Sequence, residues 1–398
     1  MTAHQWRSSL LLVLAISIAL LQLESLFSHL IFVNLARPHI KRSAELPLRF
    51  RHDGTFKVLQ VADMHFGNGE VTRCKDVLDS EFGWCSDLNT TRFLRRMIEA
   101  ERPDLIAFTG DNIFGPSATD AAESLFRAFA PAMKSEIPWA AILGNHDQES
   151  SMNREELMSF ISLMDYSISQ VNPPSVAGGT MRIEGFGNYH IKVYGPFGSG
   201  LDNTSILNLY FLDSGDREVV NGRKTYGWIR ESQLNWLRST SQQAQTESPS
   251  LSPALAFFHI PIPEVRNLWF KKIQGTFQEY VACSSVNSGV LNSLVSMRDV
   301  KAVFIGHDHL NDFCGELDQI SFCYGGGFGY HAYGRASWPR RARVITAELR
   351  KGSETWREVQ RIRTWKRIDD EKLTKIDEQV LWTHHPLEQD SFHAQMYV

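Results

Sequence analysis

The sequence predicts a layered α/β fold that carries its chemistry at strand ends. Apolar, strand-like runs alternate along the chain with segments whose apolar residues recur at helical spacing, the interleaving expected of stacked sheet and helix layers. The 398 residues, 43% hydrophobic and 22% charged, suffice for one extensive core. Five short polar boxes each follow directly on an apolar run, and loops leaving the carboxyl ends of strands are where open α/β sheets build their sites.

In order, the strand-like runs Phe56–Val61, Leu105–Thr109, Trp139–Leu143, Ala254–Phe258 and Val300–Ile305 precede the boxes. Further strands are expected at Ile191–Tyr194, Ile206–Leu212, Ile320–Tyr324 and Val344–Leu349. Between the first two boxes, Phe93, Leu94, Met97 and Ile98 form the apolar stripe of a helix that stops near Pro103. Helical patterns recur at Ala121–Met133, Arg154–Met164, Gln233–Leu237 and Val290–Met297. Gln242–Pro253, rich in Ser, Gln and Pro, reads as a surface loop. The expected organisation is a signal peptide or signal anchor over 1–36, a catalytic domain over 50–350, and a charged extension and tail over 351–398.

The boxes are Asp63-Met64-His65, Gly110-Asp111-Asn112, Gly144-Asn145-His146-Asp147, His259-Ile260-Pro261 and Gly306-His307-Asp308-His309. Each alone is ordinary, since Gly-Asp after a strand is usually a turn. Together they supply carboxylates, an amide oxygen and imidazoles, a ligand mix suited to two Mn, Fe or Zn ions in a hydrolytic site. The glycine run Gly325–Gly329 lacks the Lys-Ser/Thr of a phosphate-binding loop and reads as a tight turn, with Tyr330, His331 and Tyr333 on the substrate side. A net charge of −4 argues against a nucleic-acid partner. The cluster Arg335, Arg340, Arg341 and Arg343 reads as a solvated basic face.

At these residues the chain resembles the calcineurin-like metallophosphoesterases, whose signature is D-x-H, G-D, G-N-H-[DE], H and G-H-x-H in that order. The resemblance runs from Lys57 to about Leu349 and implies two stacked mixed β-sheets flanked by helices. It also implies that Asp63, His65 and His309 hold one metal, that Asn145, His259 and His307 hold the other, and that Asp111 bridges both. His146 would then be a catalytic group facing the substrate. Asp147 and Asp308 would orient imidazoles from behind the ligands. Within the superfamily the chain is similar to the short plant purple acid phosphatases labelled "probable inactive", through Gly306–Cys314 and Cys323–Tyr330. The purple members bind ferric iron through a tyrosinate, whereas the matching position here is Phe114 and His65 stands where they carry glycine. A full ligand set without a purple chromophore is therefore expected, with divalent metals favoured.

The chemistry implied is hydrolysis of phosphomonoesters, an acid phosphatase-like activity on a phosphorylated small molecule or protein. Two divalent cations about 3.5–4 Å apart lower the pKa of a shared water enough to give a metal-bound hydroxide. The alternatives are a phosphodiesterase or nucleotide hydrolase on the same site, and a catalytically inactive binding relative.

The N-terminus gives an address. Leu10–Leu21 fits a signal-peptide core, and Leu10–Ala36 as a whole is long enough for a membrane anchor. Entry into the secretory pathway is expected, to the exterior, cell wall or vacuole. Two local disulfides, Cys74 with Cys85 and Cys314 with Cys323, are the preferred pairing, which leaves Cys283 over, although spacing alone does not fix connectivity. Glycosylation sequons stand at Asn89 and Asn203, and Asn89 also reads as a helix N-cap.

Overall fold

The structure is a computed structural model that describes residues 6, 12–25, 41–173, 182–247, 251–353 and 355–384. The chain divides into two compact units, Met1–Lys41 and Arg42–Val398. In the first, residues 12–25 are helical with exposed apolar side chains, among them Leu14, Ile18 and Leu21. Among the described residues no helix is long and apolar enough to cross a membrane. Much of the expected run Leu10–Ala36 lies outside the described residues.

The second unit is built on two mixed sheets. One has the order β16-β15-β14-β2-β3-β4. Its strands β2 (Thr55–Val61), β3 (Leu105–Thr109) and β4 (Trp139–Ile142) are parallel neighbours. On the other side of β2, β14 (Arg341–Lys351), β15 (Trp356–Ile368) and β16 (Lys375–Thr383) follow in antiparallel pairs. The larger sheet has the order β1-β5-β6-β9-β11-β13-β12-β10, with β1 (Leu48–Arg49) and β5 (Tyr189–Tyr194) at one edge and β12 (Cys314–Leu317) and β10 (Ile273–Gln274) at the other. At its centre β6 (Ser205–Phe211), β9 (Ala254–Phe257), β11 (Val300–Ile305) and β13 (Ile320–Tyr324) run parallel. A separate hairpin pairs β7 (Arg217–Val220) with β8 (Arg223–Tyr226). Its two-residue turn, Asn221-Gly222, has both φ angles positive (52° and 76°), the pairing that suits strand twist in a tight hairpin.

Helices cover the sheets where the apolar stripes require. The first, α1 (Asp87–Glu101), buries Phe93, Leu94, Met97 and Ile98, and α2 (Ala121–Ser135) buries Leu125 and Phe129. They are followed by α3 (Arg154–Ser162), α4 (Glu231–Glu247) and α5 (Val290–Met297). One continuous core spans both sheets. Between them the buried Gln60 side chain on β2 donates to the Ile305 carbonyl on β11 and to Thr109 Oγ1 on β3, at 3.1 Å each. Disulfides link Cys74 to Cys85 and Cys314 to Cys323, and Cys283 is a buried free thiol.

Three expectations are corrected. The segment after residue 350 is not a separate extension, because β15 and β16 complete the smaller sheet as far as Thr383; residues 385–398 lie outside the described residues. Its charges misled because they are interspersed with buried residues: Arg357 and Arg361 are exposed, whereas Val359, Ile362 and Trp365 are buried. The loop expected from Gln242 begins later, since α4 continues to Glu247. The basic cluster is not a solvated face, for Arg340, Arg341 and Arg343 are buried. Arg343 donates to the Tyr324 and Asp312 carbonyls, while the Asp312 carboxylate holds both Arg341 and Lys366, the latter at 2.6 Å.

That cluster clamps β14 and β15 to the chain that follows the last ligand box. Asp312→Ala removes the carboxylate partner of the buried Arg341 and leaves Lys366 with Asp377 alone, and breaking a buried pair in this way costs about 3–5 kcal/mol. A loss of this size in urea unfolding is expected, whereas Glu99→Ala, on the exposed face of α1, should stay within about 0.5 kcal/mol.

Candidate metal centre

The three parallel strands of the smaller sheet and two parallel strands of the larger one end at a common edge. Asp63 and His65 follow β2, Asp111 follows β3, Asn145 and His146 follow β4, His259 follows β9, and His307 and His309 follow β11. The turns are sharp. Asp63, His65, Asp111 and His307 adopt φ of 59°, 46°, 48° and 81°, a left-handed conformation unfavourable for residues with a Cβ and typical of functional sites. Backbone pairing holds them there: Asp63 N donates to Gly110 O, His65 N to Asp111 O, and His307 N to Asp63 Oδ1. Gly144 admits no side chain, because a Cβ there would collide with the Asp111 carboxylate and backbone amide.

Two groups of ligand-type atoms result. Asp63, His65, Asp111 and His309 form one, Asp111, His259 and His307 the other, each with its atoms within 4.8 Å of one another and all residues buried. Asp111 belongs to both. Its Oδ2 lies 3.4 Å from His65 Nε2 and 3.2 Å from His259 Nε2, and His309 Nε2 lies 3.5 Å from Asp63 Oδ1. Ligand atoms each about 2.0–2.2 Å from one cation stand about 3.0–3.5 Å apart. The Nε2 atoms of His65, His259 and His307 and Oδ1 of Asn145 are buried without a hydrogen-bond partner. Each such orphan costs roughly 1–3 kcal/mol, and three imidazole nitrogens grouped with one carboxylate, with an orphaned amide oxygen on the loop after β4, fit a pair of bound cations.

Charge states agree with that use. Burial pushes the His65 imidazole down to about 4 and His307 down to about 3, so both are neutral donors at neutral pH. For Asp63 and Asp111 burial opposes ionisation but is overcome, chiefly by His309 and His259 respectively, so both carboxyls sit below their usual range. His259 goes the other way. Burial disfavours its charge, yet the Asp111 carboxylate prevails and raises it to about 9. A cation would replace that proton, since a ligating imidazole must be neutral.

The imidazoles are oriented by backbone carbonyls. His259 Nδ1 is 2.9 Å from Thr109 O and His309 Nδ1 is 2.9 Å from Tyr333 O, so in both rings Nε2 faces the centre. The expected roles of Asp147 and Asp308 change accordingly. Asp147 accepts from the amides of Gly144 (2.7 Å) and Ile113 (2.9 Å), which ties two ligand loops together. Asp308 accepts from Tyr324 Oη at 2.6 Å and from Ala282 N. Both carboxyls are raised, first by burial, Asp147 to about 6. The glycine run is not a free turn: Phe328 N and Gly329 N bond to Ala62 O and Asp63 O, and a Cβ on Gly329 would strike the Met64 carbonyl.

His146 stands at the mouth with its side chain 24% exposed, and its amide donates to Asp111 Oδ1 at 2.8 Å. Phe114 packs against the rings of His65 and His146, with centroids 5.4 and 4.9 Å away, and adds no oxygen. Tyr333 stacks on His309 at 3.8 Å. His331 bonds to Ser117 and Arg73 instead of reaching the ligands. Glu149, Arg217 and Tyr226 were not anticipated, although Asn221-Gly222 is the hairpin signal that would have marked the last two. Of the sequons, Asn203 is exposed in a turn. Asn89 is buried inside α1, where it completes the capping box of the N-cap Ser86, so the reading of Asn89 as N-cap is displaced by three residues.

The calcineurin-like phosphoesterase model matches residues 56–311, and the chain belongs to that family. It is 63% identical over 382 residues to an Arabidopsis thaliana protein named "Probable inactive purple acid phosphatase 28", covering 95% of this chain and 96% of that one. It is 34% identical over 331 residues to the Saccharomyces cerevisiae "Phosphatase DCR2", covering 80% of this chain and 54% of that one. A dimetal phosphatase from Danio rerio shares the fold with a TM-score of 0.53 at 15% identity, over 83% of this chain and 99% of that one.

Metal content separates the roles. Gly144→Ala should expel Asp111 from its position and lower bound metal well below that of the wild type by mass spectrometry of the purified protein. His146→Ala should leave it unchanged, and loss of metal in that variant would place His146 among the ligands.

Proposed function

We propose that this chain is a metal-dependent phosphatase that hydrolyses phosphomonoesters, acid phosphatase-like in the broad sense. The observation that carries the reading is the convergence of imidazole nitrogens on Asp111, with Nε2 of His65, His259 and His307 buried and unpartnered, as is Oδ1 of Asn145 on the loop after β4. In such centres two divalent ions, here Fe, Zn or Mn, supply Lewis acidity toward the phosphoryl oxygens and activate water. Asp63, His65, Asp111 and His309 would hold one of them, and Asp111, Asn145, His259 and His307 the other.

The rest of the work falls to the chain. His146, tied to Asp111 through its amide and open to solvent at its ring, donates a proton or hydrogen bond to the departing alkoxide. The buried walls keep bulk water from the ligand atoms. Relatives carry the name "probable inactive", whereas the ligand-type residues grouped around Asp111 support catalysis. Phe114 removes the tyrosinate on which the purple colour depends, not a group needed to hold divalent metal. The two disulfides and the exposed sequon at Asn203 support passage through the secretory pathway.

The test is hydrolysis of 4-nitrophenyl phosphate by protein stripped with chelator and reloaded with Mn, Zn or Fe. Metal-restored turnover is expected, with kcat about 10²–10⁴-fold lower in His146→Ala. Metal-loaded protein inert toward this ester and toward bis(4-nitrophenyl) phosphate would favour a binding relative.

A further inference from the structure

The β7–β8 hairpin is paired with neither large sheet, yet it is anchored at the metal centre. The Tyr226 ring meets His307 edge-on, with centroids 4.4 Å apart. Arg217 Nη1 donates to the Asn145 carbonyl at 2.9 Å and pairs with Glu149 Oε1 at 2.6 Å. The other oxygen of Glu149 is 2.6 Å from His146 Nδ1, and Arg217 Nη2 lies 3.2 Å from His146 Nε2. A single carboxylate therefore holds an imidazole and a guanidinium side by side at the mouth. Asp216, 3.6 Å from Nη1, completes the surroundings of Arg217.

We propose that Arg217 is a phosphate-binding residue and that, through it, the hairpin selects phosphomonoesters over diesters. The inference rests on the phosphoesterase reading of the metal centre. The Arg217 side chain is 43% exposed, and an ion pair this open to solvent contributes little. A phosphate dianion beside it offers the guanidinium two strong acceptors in its own fork geometry. A monoester has three unesterified oxygens and a diester two. With two of them committed to a metal pair, only the monoester retains one for Arg217 and His146. Glu149 is the positioning residue that keeps both donors on this side.

The test is calorimetric binding of inorganic phosphate and of dimethyl phosphate to Mn-loaded protein, with Mn content and Tm measured in parallel. In Arg217→Ala, phosphate affinity should fall at least about tenfold while dimethyl phosphate affinity changes less than about threefold. If that variant loses Mn, Arg217→Gln, which keeps a donor for the Asn145 carbonyl, decides and should show the same split. Phosphate binding unchanged in both variants, an equal loss for both anions, or no phosphate binding by the wild type would overturn the proposal. Hydrolysis is not read, so a protein that binds phosphate with this split but turns nothing over would sink the catalytic reading alone.

Discussion

The Asp111 carboxylate is the point on which the structure depends. It is fully buried at the meeting of two sheets, its Oδ2 faces imidazoles of both ligand groups while its Oδ1 accepts from the His146 amide, and the turn that presents it forces its backbone into the left-handed region. Gly144 is small because Asp111 is there, and the His146 amide is aligned because Asp111 accepts from it. A buried charge among unpartnered nitrogens is unfavourable in any fold that lacks a compensating cation. The arrangement is the cost of a binding site, set against the favourable burial of the core that surrounds it.

That core explains how the site tolerates its strain. Five parallel strands with nearly continuous apolar sequences hold five loops in register, and the loops are then cross-linked by backbone hydrogen bonds to one another. Carbonyls of Thr109 and Tyr333 aim two imidazoles, and Asp147 joins the β3 and β4 loops through their amides. On the far side, the Asp312 cluster pins β14 and β15 to the residues just after His309. Ligand geometry is thus set by rigid strands, while the outward face pairs His146, on the loop after β4, with Arg217 on a small hairpin.

The strands that carry ligands were legible because each is a short apolar run ended by a polar box, and the boxes themselves are ligand chemistry. β3, β11, β13 and α5 fall within the expected bounds. β15 and β16 were not legible. Their period-two pattern is diluted by arginines and lysines, and the buried Lys366 reads as polar until its partners Asp312 and Asp377 are known. The same limit hid Arg343, a charge inside the core, and the roles of Asp147 and Asp308, whose partners are distant or backbone. Glu149 and Arg217 are three and seventy-one residues from His146 in sequence; Asn221-Gly222 marks the hairpin that carries Arg217, but nothing in the local pattern pairs either residue with His146.

The departures from the purple enzymes leave the centre itself intact. Phe114 lies beside the rings of His65 and His146 as a spacer, and His65 contributes a nitrogen where glycine would offer none. The most direct test of the account is a crystal structure of the Mn-soaked protein with anomalous scattering. Two peaks are predicted, one bounded by Asp63, His65 and His309, the other by Asn145, His259 and His307, with Asp111 between them. A single peak, or none at full Mn occupancy of the solution, would contradict the reading of these residues as a dinuclear centre.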